Sequence, residues 1–197
     1  MLAPSGAARA QSFGVVGGAT LAEINASGNE PANVVLTDKF EAAGGVFVAF
    51  PLGELVSFEP EALISDKGSR LAYAGADERI RLRYAEFPLT LRFSPPPDSA
   101  LHWLRLALGP YVAYLLDASS RPTGGGATKD LDEAFEALDW GWVVGVGASA
   151  GHLGVDVRYS GGVADIGKGG VIPGMLPPSD TLKLRNRWFS LVGRYRF

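Results

Sequence analysis

Apolar and polar residues alternate one by one along most of this chain, a period of two that belongs to β-strands. Near the start Phe13, Val15, Gly17, Ala19 and Leu21 share a face. Val56, Phe58, Pro60 and Ile64 oppose Ser57, Glu59, Glu61 and Ser65, and Ile80, Leu82 and Tyr84 oppose Arg79, Arg81 and Arg83. The phase then slips, so that Phe87, Leu89, Leu91 and Phe93 oppose Glu86, Pro88, Thr90 and Arg92. A one-residue slip beside a proline predicts a β-bulge near Ala85–Glu86. Leu104, Leu106, Leu108, Val112 and Tyr114 form another apolar face, with Arg105, Ala107 and Gly109 between them. Trp140, Trp142, Val144, Val146 and Ala148 alternate mostly with glycines, and Leu153, Val155, Val157 and Tyr159 alternate with Gly154, Asp156, Arg158 and Ser160. Gly44–Gly53 and the terminal NRWFSLVGRYRF bring the count to eight strands, an even number that suits a closed antiparallel barrel.

The connections alternate in length. Long ones run roughly over Ala22–Ala43, Lys67–Arg79, Ala118–Ala137 and Gly161–Lys183, and short ones lie near Pro51–Glu54, Ser94–His102 and Ser149–His152. Short turns at one end and long loops at the other belong to a transmembrane barrel. Strands of about 10–13 residues fit a tilted bilayer crossing better than the usual 5–6 of soluble strands. Trp140, Trp142, Tyr159, Phe93, Tyr195 and Phe197 fall at strand ends, where interfacial girdles form. The apolar face is therefore expected to meet lipid and the charged face to line the lumen.

Composition narrows the field further. The 197 residues suit one domain, and 47% are hydrophobic. No uninterrupted apolar run reaches helix-spanning length; the best candidate, Trp140–Val155, holds five glycines and a histidine. A net charge of −3 argues against nucleic acid, and the absence of cysteine removes disulfide, thiolate and most zinc chemistry. The 26 glycines and 13 prolines favour turns and short strands over helices. Ala8-Arg9-Ala10 fits signal-peptidase cleavage, although an alanine-rich tail gives the same triplet; residues 1–10 are expected to be the remnant of a signal peptide and 11–197 the barrel.

Catalytic chemistry has little support. His102 and His152 lie in or beside predicted turns without a serine and acid at nucleophile spacing. Thr123–Lys129 (TGGGATK) lacks the phosphate-loop pattern, and Asp130–Asp139 lacks the turn glycine of a calcium loop. Leu131, Ala134, Phe135 and Leu138 have helical spacing, which predicts a short surface helix. The informative set is the charged inner face: Glu59, Glu61, Arg81, Arg83, Glu86, Arg92, Arg105, Asp156, Arg158, Arg194 and Arg196. Side chains just fill a barrel of eight strands, so these charges are expected to pair and plug it, with Arg81 or Arg83 reaching Glu59 or Glu61.

The segments LVSFEPEALISDKGSR, YAEFPLTLRF, DWGWVVGVGASAG, VDVRYSGGVADI and RNRWFSLVGRYRF, in this order, resemble the outer membrane protein β-barrel domain, the PorT-like "porin family" of Bacteroidota and relatives. The resemblance covers roughly Gln11 to Phe197. It implies an all-β fold, a single eight-stranded antiparallel up-and-down transmembrane barrel in the outer membrane of a Gram-negative bacterium, without cofactor. It also implies that Phe189, Leu191, Tyr195 and Phe197 resemble the terminal signal read by the barrel-assembly machinery, with Gly193 small where a bulkier residue is common. The expected role is structural, adhesive or accessory to secretion, as a monomer whose partners are the bilayer and the assembly machinery. A narrow porin and a soluble lipocalin-like binder are the alternatives.

Overall fold

The computed structural model describes residues 11–27, 35–37, 39–73, 76–167 and 183–197; the proposed signal remnant at 1–10 lies outside them. Eight long strands run β1 Ser12–Ser27, β2 Lys39–Pro51, β3 Val56–Lys67, β4 Ala76–Phe93, β5 Leu104–Pro122, β6 Leu138–Ala150, β7 Leu153–Gly162 and β8 Lys183–Arg196. Each pairs antiparallel with its neighbours in sequence, and β1 pairs with β8 to close the ring. The protein is a closed eight-stranded antiparallel barrel. Short pieces at Val35–Thr37, Arg70–Tyr73 and Lys129–Asp130 extend the sheet at the long-loop end. At the other end the Phe197 N–H donates to the Phe13 carbonyl at 2.9 Å, tying the last strand to the first.

Over most of its height the wall is apolar outside. Leu138, Trp140, Trp142, Val144, Val146 and Ala148 all point outward on β6. They span ten residue steps, about 33 Å of strand or about 25 Å of height at the usual barrel tilt, which is the thickness of a lipid-facing band. Phe40, Tyr114, Trp140, Trp142 and Phe189 ring its loop end, and Phe13, Phe93, Trp103, Tyr195 and Phe197 its turn end, all exposed. Leu153, Val155 and Val157 are likewise exposed, while Asp156 and Arg158 between them are buried.

Above that band the polarity reverses. On β4 every even residue from Ile80 to Arg92 is buried, so the strand continues regularly through Ala85 and Glu86. The expected bulge is not there. The register shift lies on the partner: Arg83 faces Asp117 and Tyr84 faces Leu115, leaving Leu116 as the extra residue of β5. The slip seen in the sequence is a change of chemistry on a straight strand. Ile80, Leu82 and Tyr84, expected to face outward, point inward and are fully buried, whereas Arg81 and Arg83 stand outside with side chains 43% and 42% exposed. Where the wall leaves the bilayer it meets water, and the soluble rule of apolar inside, charged outside returns.

The interior of this upper part is an apolar core. Ile80, Leu82, Leu115, Ala118, Leu184 and Trp188 from the wall pack with Leu131, Ala134, Phe135 and Ile166 from the connections. The predicted helix over Asp130–Asp139 shortens to one 3-10 turn, Asp132–Ala134, because Leu131 and Phe135 turn into that core while Leu138 already faces outward on β6. Backbone bonds from Glu136 N to Ile166 O (2.8 Å) and Ile166 N to Leu184 O (2.9 Å) hold the two connections over the mouth.

Candidate functional site

Inside the membrane band, β3, β4, β7 and β8 place charged residues at alternate inward positions, and these meet across the lumen. Glu59 and Glu61 of β3 are buried. Glu59 takes Arg92 Nε at 2.9 Å and Arg194 Nη2 at 2.7 Å. Glu61 receives two bonds from Arg158, at 2.7 and 3.0 Å, and one from Arg194 at 2.5 Å. Asp156 receives a two-bond fork from Arg92 at 3.0 and 2.8 Å and a further bond from Arg158 at 3.0 Å. Three carboxylates and three guanidiniums thus form one formally neutral layer across the bore. Arg194 also lies with its guanidinium carbon 3.9 Å from the centroid of the Phe47 ring. Two-bond forks between arginine and carboxylate fix geometry as well as charge.

The sequence prepares this layer on the neighbouring strand. Gly145 and Gly147 of β6 face Arg158 and Asp156 of β7 in register. A Cβ on Gly147 would stand 2.1 Å from an Asp156 carboxylate oxygen, and one on Gly145 would stand 3.2 Å from Arg158 Cγ. The alternating glycines of WGWVVGVG therefore leave room for the ion pairs.

A second layer lies toward the loops. Lys67 pairs with Glu86, whose carboxylate also accepts the Ser65 hydroxyl at 2.7 Å. The Lys67 ammonium sits 3.4 Å from the Trp188 ring centroid, 4.8 Å from Tyr84 and 5.4 Å from Tyr111. Asp139 accepts hydrogen bonds from Asn186 Nδ2 at 2.9 Å and Tyr111 Oη at 3.3 Å.

The expected charged set divides in space. Glu59, Glu61, Arg92, Asp156, Arg158 and Arg194 share the lower layer and Glu86 the upper. Arg196 is half exposed at the turn-side mouth, 3.4 Å from Glu59. Arg105 sits at the same mouth and donates to the carbonyls of His102 and Leu104 at 2.6 and 2.7 Å. Arg81 and Arg83 are outside, bound to Asp66 at 2.5 and 2.8 Å, and do not reach Glu59 or Glu61. Lys67 and Asp139 fall outside the charged set expected from the sequence because both border segments with loop-like composition. Parity would have found them: Lys67 continues the inward odd positions Glu59, Glu61 and Ser65, and Asp139 those of Gly141 and Val143. Phe189, Leu191, Tyr195 and Phe197 all face outward on the terminal strand. His102 and His152 are exposed on turns, His152 bonded to the Arg196 carbonyl at 2.7 Å.

On either side of the lower layer the bore narrows to small voids. One of about 70 Å³ opens at the turn-side mouth beside Arg92, Arg105, Arg194 and Arg196. Another of about 30 Å³ lies between the Arg158 layer and Trp188, room for about one water.

No curated protein matches the sequence. Among solved structures, OprG from Pseudomonas aeruginosa aligns at TM-score 0.54 and 14% identity over 95% of this chain and 96% of that one. Neisserial surface protein A aligns at 0.51 and 14% over 96% and 100%, and Ail of Yersinia pestis at 0.50 and 10% over 95% and 99%. At such identities the likeness concerns the fold, which these outer membrane barrels share. The family model described as outer membrane protein beta-barrel domain matches residues 7–167, and the chain belongs to that family.

Proposed function

We propose that this protein is a closed outer-membrane barrel of a Gram-negative bacterium, monomeric, that acts through its surfaces as a structural or adhesive element or, in the manner of PorT-like members, as an accessory to secretion. It neither conducts solutes nor catalyses a reaction. The observation that carries this reading is the neutral layer of Glu59, Glu61, Asp156, Arg92, Arg158 and Arg194 across the bore. A solute passing through must break several charge-assisted bonds together, and each broken pair leaves a poorly solvated ion. The apolar core around Phe135 and Leu184 then stands in its way. The outward aromatic positions Phe189, Tyr195 and Phe197 support reading by the assembly machinery.

Planar bilayers provide the test. The purified barrel is expected to remain silent, and steady ion-selective unitary currents from the unmodified protein would replace this reading with a narrow porin. Truncating Arg158 or Arg194 to alanine is expected to give weak leakage at most, because the apolar core remains. Arg83→Ala leaves the lumen unchanged, since Arg83 lies outside it.

A further inference from the structure

The turn-side mouth of the lumen holds more positive charge than the ion layer beneath it uses. In that layer Glu59, Glu61 and Asp156 match Arg92, Arg158 and Arg194 one for one. Arg105 of β5 and Arg196 of β8 are two further guanidiniums at the mouth. Arg196 reaches Glu59 at 3.4 Å, on an oxygen that already accepts the Ser57 hydroxyl at 3.0 Å. Arg105 has no carboxylate within ion-pair reach among the described residues. Both of its hydrogen bonds leave from Nη1, to the carbonyls of His102 and Leu104, so Nη2 and Nε keep their N–H groups for another acceptor. It feels the like charges of Arg196 and Arg92 more strongly than the acids Glu59 and Asp156.

These groups converge on the hollow of about 70 Å³ at that mouth. Four arginines line it, Arg92, Arg105, Arg194 and Arg196, with Asp156 as the one carboxylate in its wall and Ser149 adding a hydroxyl. Asp156 is itself held by the Arg92 fork and by Arg158. Glu54 and Asp98, on exposed turns, and the terminal carboxyl of Phe197 lie outside that wall. Glu54 borders a separate hollow that Arg196 also reaches, so Arg105 is the guanidinium whose charge is least answered.

Size and charge choose the anion. At about 10–15 Å³ per water the hollow holds about five waters, the heavy-atom count of a phosphate group. The layer is neutral, so Arg105 and Arg196 leave the mouth with two formal positive charges. A phosphate monoester carries about 1.5–2 negative charges near pH 7, whereas a carboxylate carries one. The free edge of a guanidinium also fits phosphate with two parallel bonds. We propose that the turn-side mouth binds a phosphate group, with Arg105 as its principal donor and Arg196 and Ser149 completing the site from the rim.

Isothermal titration calorimetry on the folded full chain in non-ionic detergent, near pH 7 and at fixed ionic strength, tests this with inorganic phosphate, glycerol phosphate and chloride. Phosphate is expected to bind once per chain with a dissociation constant of about 1 mM or tighter. Arg105→Gln should weaken it about tenfold or more, the worth of a charge-assisted bond, while heat-modifiable gel migration stays native because Arg105 is no part of the ion layer. Arg105→Lys, which keeps the charge and loses the fork, should recover part of the affinity. Lys129→Gln removes the same charge at the opposite end of the barrel and should change nothing. In the native chain the Arg105 Nε–H resonance should move as phosphate is added, a readout that needs no variant. Glycerol phosphate binding as tightly as inorganic phosphate assigns the hollow to the end group of a larger molecule, and inorganic phosphate binding alone assigns it to the free ion; either upholds the site. No binding, an equal response to chloride, native affinity in Arg105→Gln, an equal loss in Lys129→Gln or an unmoved Arg105 resonance would overturn the proposal.

Discussion

At the scale of single residues, space and charge are matched in pairs. Gly147 has no side chain because Asp156 occupies that volume while gripped by Arg92. Gly147→Val is therefore expected to push Asp156 off the fork and cost about 1–3 kcal/mol of overpacking in addition to the weakened ion pairs; urea unfolding in lipid vesicles measures it. Arg158→Met leaves the buried layer one cation short, taking two bonds from Glu61 and one from Asp156, and is expected to cost about 3–5 kcal/mol, with part recovered when Glu61→Gln is added. The outer face responds to a different rule. Val155 is exposed within the lipid band, so Val155→Arg should cost about 2–4 kcal/mol by the same unfolding measurement, and an unchanged value would mean that Val155 does not face lipid. The members of the lower ion layer were legible from alternation alone. Their partnerships were not, because which arginine meets which acid depends on how two pairs of neighbouring strands, β3 with β4 and β7 with β8, face one another across a bore.

At the scale of elements, the strands and their order could be read from period-two patterning, since a half-lipid, half-lumen strand writes its faces directly into the sequence. β4 shows where that stops. Its chemistry inverts at Ala85 while its backbone runs straight, and sequence cannot separate a strand that bulges from a strand that crosses an interface. The true irregularity, at Leu116 of β5, lies in a stretch whose apolar residues (YLLDA) carry no visible break. The helical spacing of Leu131, Ala134 and Phe135 misled for a related reason: those side chains are apolar because they fill the barrel mouth. The terminal strand joins both halves, with Trp188 and Leu184 inside and Phe189, Leu191, Tyr195 and Phe197 outside. Changing Tyr195 and Phe197 together to serine is expected to prevent insertion while leaving synthesis intact. An unchanged yield of folded barrel in outer-membrane fractions would remove the assembly role from those residues.

At the scale of the whole molecule, the barrel is two solvents' worth of design on one continuous wall. Its lower part is apolar outside and ionic within, and its upper part is charged outside and apolar within. The crossover sits where Tyr114, Leu138 and Trp140 ring the surface. Closure follows from both parts, since ion pairs fill one and a hydrophobic core fills the other. The measurement that addresses this most directly is a nitroxide scan along β4, one engineered cysteine at a time from Arg79 to Phe93, in lipid vesicles, with collision rates against oxygen and a water-soluble nickel complex. Positions 87, 89, 91 and 93 are expected to favour oxygen, positions 81 and 83 the nickel complex, and positions 80, 82 and 84 to be shielded from both. Oxygen accessibility at 80, 82 and 84, with 81 and 83 shielded, would mean that the strand does slip at Ala85 and that the upper barrel carries its arginines inside.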